Sequence, residues 1–163
     1  MAAVYLTRTG YQRLHAEMRE LIEVRRPQVI SDLTQAREYG DLHENAEYET
    51  AKRDQGMIEG RIHELEAMLA SVEILKAPAE ITEAVLGARV AVENLDFNLH
   101  SEYVLVGEPE SHLEEEHLSI ESPLGRALLG SKVGDIVTFD APAGVRRFKV
   151  LNLECALTDE EEE

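Results

Sequence analysis

From Tyr48 to Val72 a stripe of mostly apolar residues recurs at alternating steps of three and four: Tyr48, Ala51, Gln55, Ile58, Ile62, Leu65, Leu69 and Val72. A repeat averaging 3.5 residues, held for more than three heptads, is a coiled-coil seam, and a seam requires a second helix against it. The chain supplies one upstream. Tyr11, Leu14, Met18 and Leu21 form a helical stripe with Thr7 and Thr9 as candidate N-caps, and Ile22, Val29, Leu33 and Ala36 continue it on a register displaced by one residue. Pro27 sits between the two portions. Proline removes a helix hydrogen bond, so a bend is expected near Arg26. Two arms of about thirty residues, each about 45 Å long at 1.5 Å per residue and joined by a short loop, predict an antiparallel hairpin.

The loop is Gly40-Asp41-Leu42-His43-Glu44-Asn45-Ala46-Glu47-Tyr48. Gly40 follows the last periodic residues of the first arm, where a left-handed residue commonly ends a helix. Asp41 suits the N-cap of the second helix, with Glu44 three residues on as its capping-box partner. Acidic residues at a helix N-terminus favour the macrodipole and need no further role on that ground. Stepping the seam back from Tyr48 lands on Glu44, at the far end of the rod from the chain termini. Arg37, Lys52 and Arg53 near this tip have two open readings: following a polyanion, or pairing with Glu38, Glu49 or Asp54 at the surface, where such pairs contribute little.

Ala77-Pro78-Ala79 reads as the end of the helical region, giving a hairpin over 1–77, a linker at 78–79 and a second domain over 80–157. There the period changes to two. Ala88, Val90 and Val92 share one face, Tyr103 to Val106 form a second apolar run, and Leu118 to Glu121 are a candidate third strand. Ser122-Pro123 is an N-cap followed by proline at the first helical position, for a short helix ending at Gly130. Ile136 to Asp140, a Pro142-Ala143-Gly144 turn and Arg146 to Leu153 complete a small β-rich domain with one short helix. The fold class expected is therefore α+β. Residues 158–163, ending in Asp159-Glu160-Glu161-Glu162-Glu163, have nothing apolar to bury and read as a solvated tail.

Charge narrows the function classes. Of the formal net charge of −17, residues 1–79 carry ten Lys/Arg against fourteen Asp/Glu, a balance of −4, and residues 80–163 carry six against nineteen, a balance of −13. Free duplex binding requires clustered cations that neutralise phosphates, and this chain repels them on average. The one cysteine, Cys155, excludes an intramolecular disulfide and reads as a small core residue. With no basic N-terminus ahead of an apolar run and no stretch long enough to span a bilayer, a cytoplasmic location is expected. His112 and His117 flank Leu113-Glu114-Glu115-Glu116 and read as an exposed polar loop rather than half a zinc site. There is no Gly-rich phosphate loop or nucleophile elbow, so an independent enzyme is not expected.

The stretch Gly40 to Tyr48 resembles the tip signature of the bacterial GreA/GreB transcript-cleavage factors, and Arg25-Arg26-Pro27 is similar to the corresponding stretch of GreA. Tyr103-Val104-Leu105-Val106-Gly107, Ser122-Pro123-Leu124-Gly125, Ala127-Leu128-Leu129-Gly130 and Gly134-Asp135 are similar to that family's C-terminal domain. The resemblance covers all but the acidic tail, and lies nearer to GreA than to GreB.

It implies a coiled coil that enters the secondary channel of bacterial RNA polymerase and an FKBP-like C-terminal domain that docks at the channel rim. It further implies that Asp41 and Glu44 are the catalytic carboxylates, helping to hold a second, weakly bound Mg²⁺ whose other ligands polymerase supplies. The polymerase would then cleave its own backtracked nascent RNA near the 3′ end and resume elongation. Leu42 would pack near the partner surface, Asn45 and Tyr48 would fix tip geometry, and Arg37 and Lys52 would guide RNA. The expected factor is a monomer that is not itself a nuclease and holds no Mg²⁺ tightly alone, since two carboxylates are too few for a tight octahedral site.

Two departures bear on this. Lys52 stands where familiar GreA tips carry arginine, keeping the charge without the planar fork, and His43 replaces a lysine. The alternative within the same family is a homologue that occupies the channel and inhibits polymerase, against which the intact Asp41, Glu44, Asn45, Ala46, Glu47 and Tyr48 argue. A prolyl isomerase is the alternative from another class. Its pocket is aromatic-rich, whereas residues 80–163 contain only Phe97, Tyr103, Phe139 and Phe148. A purely structural coiled-coil adaptor is the third, separated from the rest by whether the tip charges matter.

Overall fold

A computed structural model describes residues 4–40, 45–78 and 80–157. The class is α+β, and the described residues divide into two compact units: those within 11–72, and those within 73–157 together with 4–10.

In the first unit, α1 (Arg8–Glu20), a π-helical turn (Leu21–Arg25) and α2 (Arg26–Glu38) follow one another without leaving the helical region. Thr7 is the N-cap of α1, its hydroxyl accepting the Gly10 N–H at 3.0 Å. Where a bend is expected, the Arg26 N–H reaches Leu21 O, five residues back, in a π turn. A π turn accommodates one extra residue. That is the physical origin of the one-residue displacement between the two apolar stripes, and it falls immediately ahead of Pro27, which sits in the first turn of α2 where its missing N–H is tolerated.

Helix α3 (Ala46–Leu69) packs antiparallel to this arm: Glu17 meets Arg61, Arg26 meets Glu59 and Ala36 meets Asn45, one number falling as the other rises. Val29, Ile58 and Ile62 are buried together with Leu21 and Ile22 packed on them, and Ala51 and Leu65 are buried on the same α3 stripe. Burying one such aliphatic side chain contributes about 1.5–3 kcal/mol. Two expectations are corrected. Helix α3 is capped by Asn45, four residues beyond the Asp41 proposed for that role, and it stops at Leu69 with Ala70 as C-cap. Val72, read as the last seam position, instead opens β2 (Val72–Ile74), whose partner β1 (Val4–Leu6) has too short an apolar run to stand out.

The second unit is a five-stranded mixed sheet in the order β5-β4-β3-β7-β6, built from β3 (Ala88–Asn94), β4 (Leu99–Val106), β5 (His117–Ser119), β6 (Ile136–Ala141) and β7 (Gly144–Cys155). All neighbours are antiparallel except β4 and β5, which run parallel. Alternation buries Ala88, Val90 and Val92 of β3 against Leu105, Phe148 and Val150, with Leu128 of α4 (Pro123–Leu128) closing the core. Where β3 meets β7 the register slips between Ala91 and Val92, so Leu151 bulges. Ser122 caps α4 by accepting the Gly125 N–H at 3.1 Å, Pro123 holds its first turn, and Gly130 beyond it has φ +84°. Gly125 lies against the sheet side of that turn: a Cβ there would stand 1.9 Å from Ser119 O.

Candidate functional site

Asp41, Leu42, His43 and Glu44 lie outside the described residues. Their two flanks are described. On the first, Tyr39 and Gly40 end α2 by donating N–H groups to Ala36 O at 3.2 Å and Arg37 O at 3.3 Å, and Gly40 has φ +99°, the left-handed conformation expected of it.

On the second, Asn45 uses both ends of its amide. Its Oδ1 accepts the Tyr48 N–H at 3.0 Å, capping α3, and its Nδ2 donates to Ala36 O at 2.5 Å. Ala36 is itself buried. The Arg37 guanidinium lies 5.9 Å from the Tyr48 ring centroid, within range of a cation–π contact. Residues 37, 36, 45 and 48 are therefore tied across the two arms, and a four-residue segment separates Gly40 from Asn45. Among the described residues, Arg37, Lys52 and Arg53 form no ion pair with Glu38, Glu49 or Asp54, and Lys52 is exposed.

Between the arms next to the tip is an open cleft of about 350 Å³, floored by Ala36, Ala46 and Ala51 and rimmed by Asp32, Glu47 and Asp54. Its charge repels phosphate, whereas Arg37, Lys52 and Arg53 are cations close to the tip. Hard carboxylate oxygens are the donors Mg²⁺ prefers, and Asp41 and Glu44 have that chemistry. Asn45 does not join them, since both its polar atoms are engaged within the hairpin. Among the described residues no three His, Cys, Asp or Glu side chains are grouped to hold a metal ion.

Further down the rod, two guanidinium–carboxylate pairs cross between arms. Arg26 Nε and Nη2 donate to the two oxygens of Glu59 at 2.7 and 3.0 Å, and Arg61 does the same to Glu17 at 2.7 and 3.1 Å while also meeting Glu64 at 3.2 Å. Hydrogen bonding to Arg26 holds the Glu59 carboxyl below its ordinary range, and Glu59 raises Arg26 in turn. Both pairs are part-exposed, so they fix register between the arms more than they stabilise. In the second unit, a hydrogen bond from Arg89 lowers Glu116 in the same way. His117 turns its Nδ1 toward Glu110 O at 2.9 Å, and His112 is exposed.

A long helical hairpin with a stapled tip, followed by a small mixed sheet, defines a two-part factor with its distinctive residues on a rod end. A family model described as "Transcription elongation factor, N-terminal" matches residues 4–74, and one described as "Transcription elongation factor, GreA/GreB, C-term" matches residues 79–155. The chain belongs to the GreA/GreB family of transcription elongation factors. It is 41% identical over 152 residues to the transcription elongation factor GreA of Syntrophotalea carbinolica, covering 93% of this chain and 96% of that one. To GreA of Thermotoga neapolitana it is 42% identical over 153 residues, covering 94% and 98%. Among solved structures, the GreA factor homolog 1 (Gfh1) protein of Thermus thermophilus is 31% identical over 94% of this chain and 99% of its own, with a TM-score of 0.44.

Proposed function

We propose that this chain enters the secondary channel of a bacterial RNA polymerase by its hairpin tip and stimulates that enzyme's own Mg²⁺-dependent cleavage of backtracked RNA. The observation that carries the reading is the tip sequence Gly40 to Tyr48, with Asp41 and Glu44 both present, in a chain that matches both the N- and C-terminal models of the GreA/GreB family.

Asp41 and Glu44 would complete the coordination of a second Mg²⁺ whose remaining ligands belong to polymerase. That ion, when bound, polarises phosphoryl oxygens and brings the pKa of a bound water toward neutrality. The chain's own contribution is to deliver two carboxylates at the end of a long rod and to hold them still. Asn45 and Tyr48 set the geometry behind them, Leu42 packs on the partner, and Arg37 and Lys52 attract the RNA backbone. Arg37 does so with its guanidinium already laid over Tyr48, so its position is set before RNA arrives. The C-terminal unit docks at the channel rim. Two carboxylates are too few for a tight octahedral site, so on this reading the factor depends on polymerase for cleavage, and it acts as a cytoplasmic monomer.

Stalled, backtracked bacterial elongation complexes test the reading. Adding the purified protein should accelerate release of short 3′ RNA fragments and restore elongation. Binding that only blocks transcription would favour the inhibitory alternative, and no binding at all would remove both.

A further inference from the structure

Glu110 is the only charged residue fully buried among the described residues, and the proposed function makes no use of it. It closes a short 3-10 turn, Glu108–Glu110, and its carboxylate faces the start of α1, far away in sequence. Thr7 donates its backbone N–H to Oε2 at 2.9 Å and its hydroxyl to Oε1 at 2.5 Å, while the same hydroxyl accepts the Gly10 N–H. Gly10 leaves the room for this: a Cβ there would lie 2.0 Å from Oε1. The Glu110 carbonyl is held in turn by His117 at the start of β5.

Two facts make this more than a satisfied buried acid. Helix α1 has no acidic residue in its first turn, so Glu110 supplies, from 103 residues away, the negative charge that a helix N-terminus favours. Glu110 also belongs to a segment that opposes its own closure: residues 108–117 hold five glutamates, at 108, 110, 114, 115 and 116, and all of these but Glu110 are exposed. Like charges so close repel one another, an effect that Arg89, 2.9 Å from Glu116, offsets at one end of the segment.

We infer that Glu110 is a conformational latch: its carboxylate ties residues 4–10 to residues 108–117, and its release opens both segments together while β3 and β7 at the centre of the sheet stay paired. A buried carboxylate with one partner removed is strongly disfavoured, so the two segments have only a joined and a parted state, with little between.

Native-state hydrogen exchange on the full-length protein tests the latch, comparing wild type with Glu110→Ala and Thr7→Val. In both variants the amides of 4–10 and 108–117 are expected to exchange faster together, by about tenfold or more, with those of β3 and β7 within about twofold of wild type. Thr7→Val keeps the buried carboxylate and removes one donor, so it reports even if Glu110→Ala does not fold. Unchanged protection at 4–10 in a folded variant would overturn the latch. So would faster exchange spread equally over β3 and β7, which would make Glu110 an ordinary member of the core.

Discussion

Asn45 Nδ2 donates to the carbonyl of Ala36 at 2.5 Å, so the residue that starts one arm of the hairpin is fastened to the last buried residue of the other. The same side chain caps α3 through Oδ1. One amide thus satisfies an orphan N–H of one helix and adds a second donor to the Ala36 carbonyl, which already accepts the Tyr39 N–H.

Removing both bonds with Asn45→Ala should lower stability by about 1–2 kcal/mol, the usual cost of a lost cap. Asn45→Ser restores an acceptor for the Tyr48 N–H without reaching Ala36, and should recover only part of the loss. Urea unfolding of the three proteins measures this. A serine variant as stable as wild type would mean that the cross-arm bond contributes nothing.

Gly56 and Gly60 lie in the middle of α3 in helical conformation, and a Cβ at either meets no atom within 4 Å. Glycine in a helix interior is less favourable than alanine by about 0.5–1 kcal/mol. Gly56→Ala and Gly60→Ala should each stabilise by that amount and add in the double variant, as read by thermal or urea unfolding. A destabilising effect would contradict the open space around these two positions.

Gly125 behaves in the opposite way. A Cβ would stand 1.9 Å from the backbone carbonyl of Ser119, which cannot swing aside as a side chain could. Gly125→Ala should cost about 1–3 kcal/mol through displacement of α4 from the sheet. A crystal structure of the variant with α4 unmoved, or an unchanged unfolding midpoint, would contradict the close approach.

The Glu59–Arg26 pair makes stability depend on acid. Because the hydrogen bond to Arg26 lowers the folded pKa of Glu59 below its unfolded value, the stabilisation is complete above the ordinary carboxylate range and is lost as pH falls through the lowered value. Glu59→Gln should remove that part of the acid dependence and leave the neutral side of the profile parallel to wild type. Arg26 titrates at the far alkaline end, so its rise adds no pH dependence at working pH. Urea midpoints of both proteins across the acid range would detect the difference; identical profiles would count against it.

Much of this arrangement is legible in the sequence because it rests on local chemistry. The seam at Ala51, Ile58, Ile62 and Leu65 is buried as its spacing requires, Gly40 takes positive φ, and Ser122-Pro123 opens α4. The one-residue displacement between the stripes before and after Pro27 was itself the sign of the π turn, since an inserted residue is what such a turn absorbs. Asn45 is as good an N-cap as Asp41, and only the need to bond Ala36 across the hairpin decides between them. What could not be read are pairings over long separations. Val72 follows the seam's spacing but pairs as strand β2, and nothing near Thr7 announces a carboxylate at position 110. Asp41 and Glu44 are reached through the family resemblance alone, because two acids beside a helix start need no chemistry.

The most direct test is the rate of RNA 3′-end cleavage in a backtracked elongation complex, measured across Mg²⁺ concentration for wild type, Asp41→Ala and Glu44→Ala at saturating factor. The account predicts that wild type accelerates cleavage and lowers the Mg²⁺ needed, while both variants still bind polymerase and lose the acceleration, by at least about tenfold for one lost ligand interaction. Variants that bind and cleave as fast as wild type at every Mg²⁺ concentration would contradict it.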